Sequence, residues 1–418
     1  MGGLEQKLMR SIPRTLARAL RATAPIGLLV TACAGSMAAP QQQSCPAPGQ
    51  WAVPHAGTAT TEPADQVFAR LARQQVVLLG ESHDDAEHHR WQLHVLAGLY
   101  ALRPQMALGL EMFPRRVQPV LDQWVAGQLS DEQFLVRSEW FTVWGFEPQP
   151  YMAIFQFARM GRIPIVALNV DRSLVSKVGD EGWTAIPAAT REGVTDPAPA
   201  RPEYLEVLYE SYQEHQPGAR GGSGERGRPT TADLADPKFQ RFVEGMLVWD
   251  AAMAQGIAER LRGPNPPLVI ALMGSGHVRD GYGVQYQLNA LGVKSVAAVL
   301  PWDQSSGCGD LHPGVADFLF GIAERPAADR QDRPGLGISI EGGSGGVLIR
   351  DVVAGSIAEQ AGLKKGDLIV TVAGETVRDS GDVIAAVRRQ APGTWLPLQV
   401  KRDEATLEIV ARFPPRQP

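Results

Sequence analysis

The sequence predicts an α/β fold, a mostly parallel sheet with helices on both faces, followed by a small, mainly-β domain. Three observations predict it. Val76-Val77-Leu78-Leu79 and Leu268-Val269-Ile270-Ala271-Leu272-Met273 are unbroken aliphatic runs, the pattern of strands buried on both faces rather than on one. Helical stretches with apolar residues at i, i+3 and i+4 alternate with such runs from about residue 63 to 304. Beyond residue 326 the composition changes to short strands separated by glycine turns. At 418 residues the chain is long enough for more than one domain.

In chain order, a basic stretch with Lys7, Arg10, Arg14, Arg18 and Arg21 precedes a short apolar run over residues 24–32, too short to span a bilayer. Val30-Thr31-Ala32-Cys33 resembles a bacterial lipobox, which implies a signal peptide over residues 1–33 and lipidation at Cys33. Ala34 after that cysteine implies the outer membrane, with the protein facing the periplasm or the surface. A plain signal peptide cleaved near Ala38 is the alternative. The net charge of −5 includes this basic start, so the remainder is distinctly acidic, which argues against nucleic acid as a partner. Residues 34–62, rich in Ala, Pro, Gln, Ser and Thr, read as a flexible linker. Cys45 and Cys308 remain, and their pairing is left open, because both fall in stretches read as linkers.

From residue 63 a helical lead-in is followed by the strand at Val76, then Gly80-Glu81-Ser82-His83 and a helix over residues 86–100. The strand Met106-Ala107-Leu108-Gly109-Leu110 ends at Glu111. Helices over 115–126 and 131–138, an aromatic loop over 140–145 and a helix over 149–160 come next. Pro164-Ile165-Val166-Ala167-Leu168 ends at Asn169. Residues 203–215 read as a helix bearing Tyr204, Tyr209, Tyr212 and His215, and residues 216–231 as a Gly/Arg-rich loop. A long helix over 237–262 aligns Phe242, Met246, Trp249, Met253 and Ile257 on one stripe. The strand from Leu268 runs into Gly274-Ser275-Gly276-His277, and a last strand spans 294–300. Ligands in open α/β sheets bind beyond the carboxyl ends of the strands. Glu81, His83, Glu111 and His277 all fall there.

The five segments Gly80-Glu81-Ser82-His83, Leu110-Glu111-Met112-Phe113, Ala167-Leu168-Asn169, Trp249-Asp250 with Met253-Ala254, and Gly274-Ser275-Gly276-His277 together resemble the ChaN family. These are bacterial haem-binding lipoproteins of iron uptake, in the superfamily that includes the Tiki metalloproteases. The resemblance implies haem as a ligand and partner, and is compatible with a homodimer. Tyr204, Tyr209, Tyr212, His215, Tyr282 and Tyr286 are the candidate axial donors, although aromatic residues at helical spacing also serve a core. The superfamily site of two Gly-x-x-His turns and a glutamate maps onto His83, His277 and Glu111, with Glu81 beside them. Two imidazoles and carboxylates suit a divalent ion such as Zn, Mn or Co. With such an ion the chain would be a hydrolase or peptidase using Glu81, His83, Glu111 and His277, Glu81 or Glu111 acting as base. The same groups would otherwise form a buried hydrogen-bonded cluster without metal.

Three sets of residues have plainer readings beside these. His88 and His89, at a helix start, are expected to be solvated. Asp250 is expected to cap a helix or pair with Arg172 or Arg279. Trp140, Phe141, Trp144 and Phe146 would either stack on a porphyrin or seal a core.

Residues 305–330 read as a linker. Residues 331–415, with Leu336-Gly337-Ile338, Gly346-Val347-Leu348-Ile349 and Ala361-Gly362-Leu363-Lys364-Lys365-Gly366-Asp367, resemble a PDZ domain. That implies capture of protein or peptide C-termini through the Leu336, Gly337 and Ile338 loop. A scaffold acting through this domain alone is the third functional class.

Overall fold

The structure is a computed structural model that describes residues 45–214, 228–303, 307–323, 335–343 and 345–415. Cys33, with the whole lipobox, and His215 lie outside the described residues. Among the described residues no helix is long and apolar enough to cross a membrane.

The first strands are β1 (Trp51–His55) and β2 (Thr58–Glu62), an antiparallel hairpin. Helix α1 (Ala64–Leu71) leads to β3 (Val76–Glu81), α2 (Ala86–Leu102) and β4 (Met106–Pro114). Helices α3 (Gln118–Val125), α4 (Asp131–Arg137), α5 (Trp140–Val143) and α6 (Gln149–Met160) precede β5 (Ile165–Asn169). Next come α7 (Arg172–Glu181), α8 (Pro202–Glu214), α9 (Thr231–Leu234) and α10 (Pro237–Arg260). Strand β6 (Leu268–Gly274), α11 (Ser275–Val278), α12 (Val284–Ala290), β7 (Val296–Asp303) and β8 (Phe318–Ile322) complete the larger domain.

The sheet runs β2-β1-β8-β7-β3-β6-β4-β5, parallel from β8 to β5, with the first hairpin antiparallel at one edge. Unbroken aliphatic strands serve two cores at once, because successive side chains leave a strand on opposite faces. Val77 and Leu79 of β3, with Ile270 and Leu272 of β6, join one cluster with Trp91 and Val95 of α2. Val76 and Leu78, with Val269, Ala271 and Met273, join the other with Met253 and Ile257 of α10. The order also makes the site. The chain passes from β3 to β4 and later inserts β6 between them, so three carboxyl ends lie side by side.

Edge strand β5 is blunted by a side chain. The Gln118 amide donates to the Ile165 carbonyl (2.7 Å) and accepts from the Ala167 N–H (2.8 Å), occupying the positions of a neighbouring strand.

Three sequence expectations are corrected, and one pairing left open is settled. The stretch read as a linker over 34–62 contains β1 and β2, with Trp51 and Ala52 buried. The linker expected over 305–330 contributes β8 to the sheet. Cys45 and Cys308 are disulfide-bonded, with Cα atoms 5.3 Å apart, which ties the lead-in to β1 to the segment before β8. Low-complexity composition concealed these pieces because a sheet neighbour, not local propensity, makes them strands. The aromatic loop expected at 140–145 begins as the short helix α5.

The smaller domain has its own core, including Leu336, Val347, Ile369, Val383, Leu396 and Val400. It comprises β9 (Ile338–Gly343), β10 (Gly346–Val352), α13 (Ile357–Ala361), β11 (Leu368–Val372), β12 (Glu375–Thr376), α14 (Ser380–Arg388), β13 (Trp395–Arg402) and β14 (Ala405–Arg412). Its sheet runs β14-β13-β11-β10-β9, with β12 on β11, so among the described residues β9 is an open edge.

Candidate functional site

Glu81 closes β3, where a buried strand delivers it to the crevice. It is 3% exposed and fully bonded. One oxygen accepts from the Tyr151 hydroxyl (2.8 Å) and meets His83 Nδ1 (2.8 Å); the other accepts from the Gln92 amide (2.8 Å) and lies 3.5 Å from His89 Nδ1. Burial opposes its ionisation, yet the bonds from His83 and His89 hold the carboxyl well below the ordinary range.

Asp85 caps α2 by accepting from the Glu87 N–H (2.9 Å), which turns the first face of that helix inward. His89 is consequently buried, not solvated. Its Nδ1 faces the Gln92 carbonyl oxygen (3.1 Å) and its Nε2 faces the His83 carbonyl (3.2 Å). With acceptors at both nitrogens this ring fits its contacts as the imidazolium, and Glu81 raises its pKa against the effect of burial. His88 is also largely buried, and its Nδ1 accepts from the Ser82 N–H (2.8 Å). Burial lowers its pKa.

The second half of the cluster hangs from β6, β4 and α10. Glu111 accepts from the Gly274 N–H (2.6 Å) and stands 3.6 Å from His277 Nε2. His277 Nδ1 meets Asp250 at 2.6 Å, and the other Asp250 oxygen accepts from the Tyr204 hydroxyl (2.8 Å). His277 therefore faces a carboxylate on each side. Burial disfavours its charged form, but Asp250 and Glu111 outweigh burial and push its pKa up to about 9. Asp250 does not pair with Arg172 or Arg279 as expected; a carboxylate in the inward register of an apolar helix has found an imidazole instead.

The two halves meet over Gly274. A Cβ there would lie 3.2–3.3 Å from the His83 ring and 3.7 Å from Glu111, so the glycine leaves His83 room beside Glu111. Trp144 and Phe146 pack on His83 with ring centroids 4.5 and 5.1 Å away, and Trp249 packs on His277 at 5.5 Å. Trp140 is fully buried and seals the core beneath. Glu81, His83, Glu111 and His277 are thus brought together, as the strand ends required. Asp250, Tyr151, His89 and Gln92 complete the cluster. For the last pair the signal was the i, i+3 spacing of His89 and Gln92 on a helix beginning at the strand end.

A carboxylate holds one nitrogen of each of the two strand-end imidazoles. Glu81 holds His83 Nδ1 and Asp250 holds His277 Nδ1, which leaves Nε2 of each ring as the nitrogen free to meet a ligand, and His277 Nε2 stands 3.6 Å from Glu111, beyond hydrogen-bond distance. Among the described residues no group of three or more His, Cys, Asp or Glu is placed to hold a metal ion.

The tyrosines divide. Tyr204 is 1% exposed, its hydroxyl given to Asp250, and burial with that carboxylate raises its pKa. Tyr209, Tyr212 and Tyr282 are half-buried and share an apolar cluster with Phe242 and Met246. Tyr282 lies 6.1 Å from Tyr204, with the Arg201 guanidinium 5.7 Å above its ring. Tyr286 is half-buried on α12, outside that cluster. On the stripe of α10, Met253 and Ile257 are sealed in the core while Phe242, Met246 and Trp249 remain partly open.

Residues 67–288, more than half of the chain, match the family model described as haem-binding uptake, Tiki superfamily, ChaN. The chain belongs to the ChaN family. Residues 334–411 of this ChaN-family chain match the PDZ domain model, so the second domain is a PDZ domain. A solved structure, described as cofacial haem binding to ChaN of Campylobacter jejuni, is 16% identical with a TM-score of 0.49, covering 65% of this chain and 96% of that one. A DegP-like probable periplasmic serine endoprotease of Chlamydia trachomatis is 41% identical over 64 residues, and the serine protease HTRA1 of Xenopus tropicalis is 38% identical over 64 residues. Each match takes in 15% of this chain, which spans only 13% and 14% of those two relatives.

Proposed function

We propose that this chain binds haem for iron uptake, seating the porphyrin on the half-buried face formed by α8, α10 and Tyr282. The observation that carries the reading is that face: Tyr209, Tyr212, Phe242, Met246 and Tyr282 form one partly open aromatic and apolar surface in a ChaN-family domain. The residues fit the ligand. Apolar rings suit a flat macrocycle, a phenolate is a hard donor suited to ferric iron, and Arg201 supplies a cation for a propionate. Haem bound there would supply the iron; the protein's part is to hold it and exclude water. The carboxylate-rich cleft at His83 suits haem less, since Glu81 and Glu111 would repel propionates. Its part in this reading is to fix α8 through the Tyr204–Asp250–His277 chain.

The PDZ domain is read as a module for protein or peptide C-termini, held at the loop of Leu336, Gly337 and Ile338. Cys33 is read as a lipid anchor to the outer membrane, with the domains facing the periplasm or the surface. The Cys45–Cys308 bridge supports an oxidising compartment. Exchange of Cys33 for Ser is expected to move the protein from membrane to soluble fractions; retention in the membrane at high salt would refute the anchor.

The haem reading is tested by titrating ferric haem into the folded protein and following the Soret band. A shifted band that saturates near stoichiometric haem is expected. A spectrum of free haem at every ratio would refute it, and chelator-sensitive cleavage of peptides or esters by the same sample would favour the hydrolase class.

A further inference from the structure

In the PDZ domain helix α14 packs beside the edge strand β9, and Ile338, Ile340 and Val387 on these two elements are half-buried, the place where a PDZ domain takes an added strand. Its two ends are distinguishable. The loop of Leu336, Gly337 and Ile338 stands at the start of β9, and Gly337 has φ 78°, a backbone turn that favours glycine. A Cβ on Gly337 would also strike the side chain of Ser356. A terminal carboxylate held there fixes the direction of a bound tail, whose preceding residues must run along β9 toward Gly343. At that far end, Ser380 Oγ lies 3.7 Å from a Cβ position built on Gly342, so the first turn of α14 flanks the groove's exit.

The exit does not open onto solvent alone. Helix α14 packs against α5 of the larger domain, and the contact is tight at Gly381. A Cβ on Gly381 would collide with Thr142 Oγ1 and lie 3.2 Å from the Thr142 backbone nitrogen. Phe141 and Val143 on either side of Thr142 are half-buried. Helix α5 in turn leads directly into Trp144 and Phe146, the rings that pack on His83.

We infer that the PDZ groove continues onto α5, so that the two domains form one docking surface for an extended, unstructured C-terminal tail of a partner protein. The groove takes the last residues of the tail, with an aliphatic final side chain among Ile338, Ile340 and Val387. Strand β9 has six residues, so at roughly 3.3 Å per residue the tail reaches α5 about six residues before its end. The upstream residues then lie against Phe141, Thr142 and Val143, next to the segment that covers His83. This inference rests on the reading of the PDZ domain as a binder of C-termini and is independent of haem.

The test uses the full chain and two synthetic peptides ending in the same valine-terminated sequence, one of about five residues and one of about twelve. Affinity and amide hydrogen exchange over residues 139–146 are measured for each. The long peptide is expected to bind roughly tenfold more tightly and to protect that segment, whereas the short one does not protect it. Thr142→Arg, which lies outside the PDZ groove, is expected to keep the affinity for the short peptide and lose the gain with length. Gly381→Ala, favourable within a helix yet incompatible with the contact, is expected to lose the same gain. Equal affinities with no protection at 139–146, or a gain that survives both substitutions, would overturn the two-domain surface while leaving the PDZ reading intact. Failure of both peptides to bind, or equal binding of amidated peptides, would overturn both readings.

Discussion

Asp250 stands in the middle of an apolar helix with no exposed surface, and its partners explain it: the His277 imidazole on one oxygen and the Tyr204 hydroxyl on the other. Breaking a buried ion pair by deleting one member leaves an uncompensated charge. Asp250→Ala is therefore expected to lose about 3–5 kcal/mol of stability in denaturant unfolding. A loss below about 1 kcal/mol would mean that the pair is not charged. His277 adds a pH signature. Its pKa rises from an ordinary 6.5 to about 9 in the folded chain, so its stabilisation is complete below pH 6.5 and drains away as pH rises toward 9. Wild-type protein is expected to lose stability over that window more steeply than His277→Gln; parallel profiles would contradict the assignment. The sequence showed where Glu81, His83, Glu111 and His277 would stand, because strand ends in a parallel sheet converge. It did not show that Asp250 would face His277 or that Tyr151 would reach Glu81, since those contacts depend on how α10 and α6 are rotated when they pack.

At the scale of elements, the strands most legible in the sequence were those buried on both faces, whose aliphatic runs need no context to be recognised. Strands β1, β2 and β8 were missed for the opposite reason. Trp51–His55 and Thr58–Glu62 are short and mixed in composition, and become strands by pairing with each other and, through β1, with β8. At the other edge, Gln118 substitutes for a strand neighbour on β5. Gln118→Ala removes two hydrogen bonds to the backbone and is expected to cost roughly 1–2 kcal/mol. It also opens the edge, so sedimentation should show more self-association than for wild type. Unchanged stability together with unchanged association would show that water satisfies β5 equally well.

Across the whole molecule, the disulfide, the two-sided core and the polar cluster converge on one outcome, a rigid sheet that presents α8 and α10 at a fixed angle. The Cys45–Cys308 bridge closes a loop of 263 residues and ties the start of the first hairpin to the segment before β8. The Tyr204–Asp250–His277 chain pins α8 to α10 and to the strand-end cluster. What remains partly open is the tyrosine face. That face is the proposed seat of the haem iron. The decisive measurement is the absorption spectrum of the ferric haem complex across single Tyr→Phe exchanges at Tyr209, Tyr212, Tyr282 and Tyr286, with Tyr204→Phe as the buried comparison. One exchange among Tyr209, Tyr212 and Tyr282 is expected to abolish the tyrosinate charge-transfer band and to weaken binding at least roughly tenfold. A band that persists through all three exchanges, or disappears instead with His83→Ala, would place the iron elsewhere and contradict the proposal.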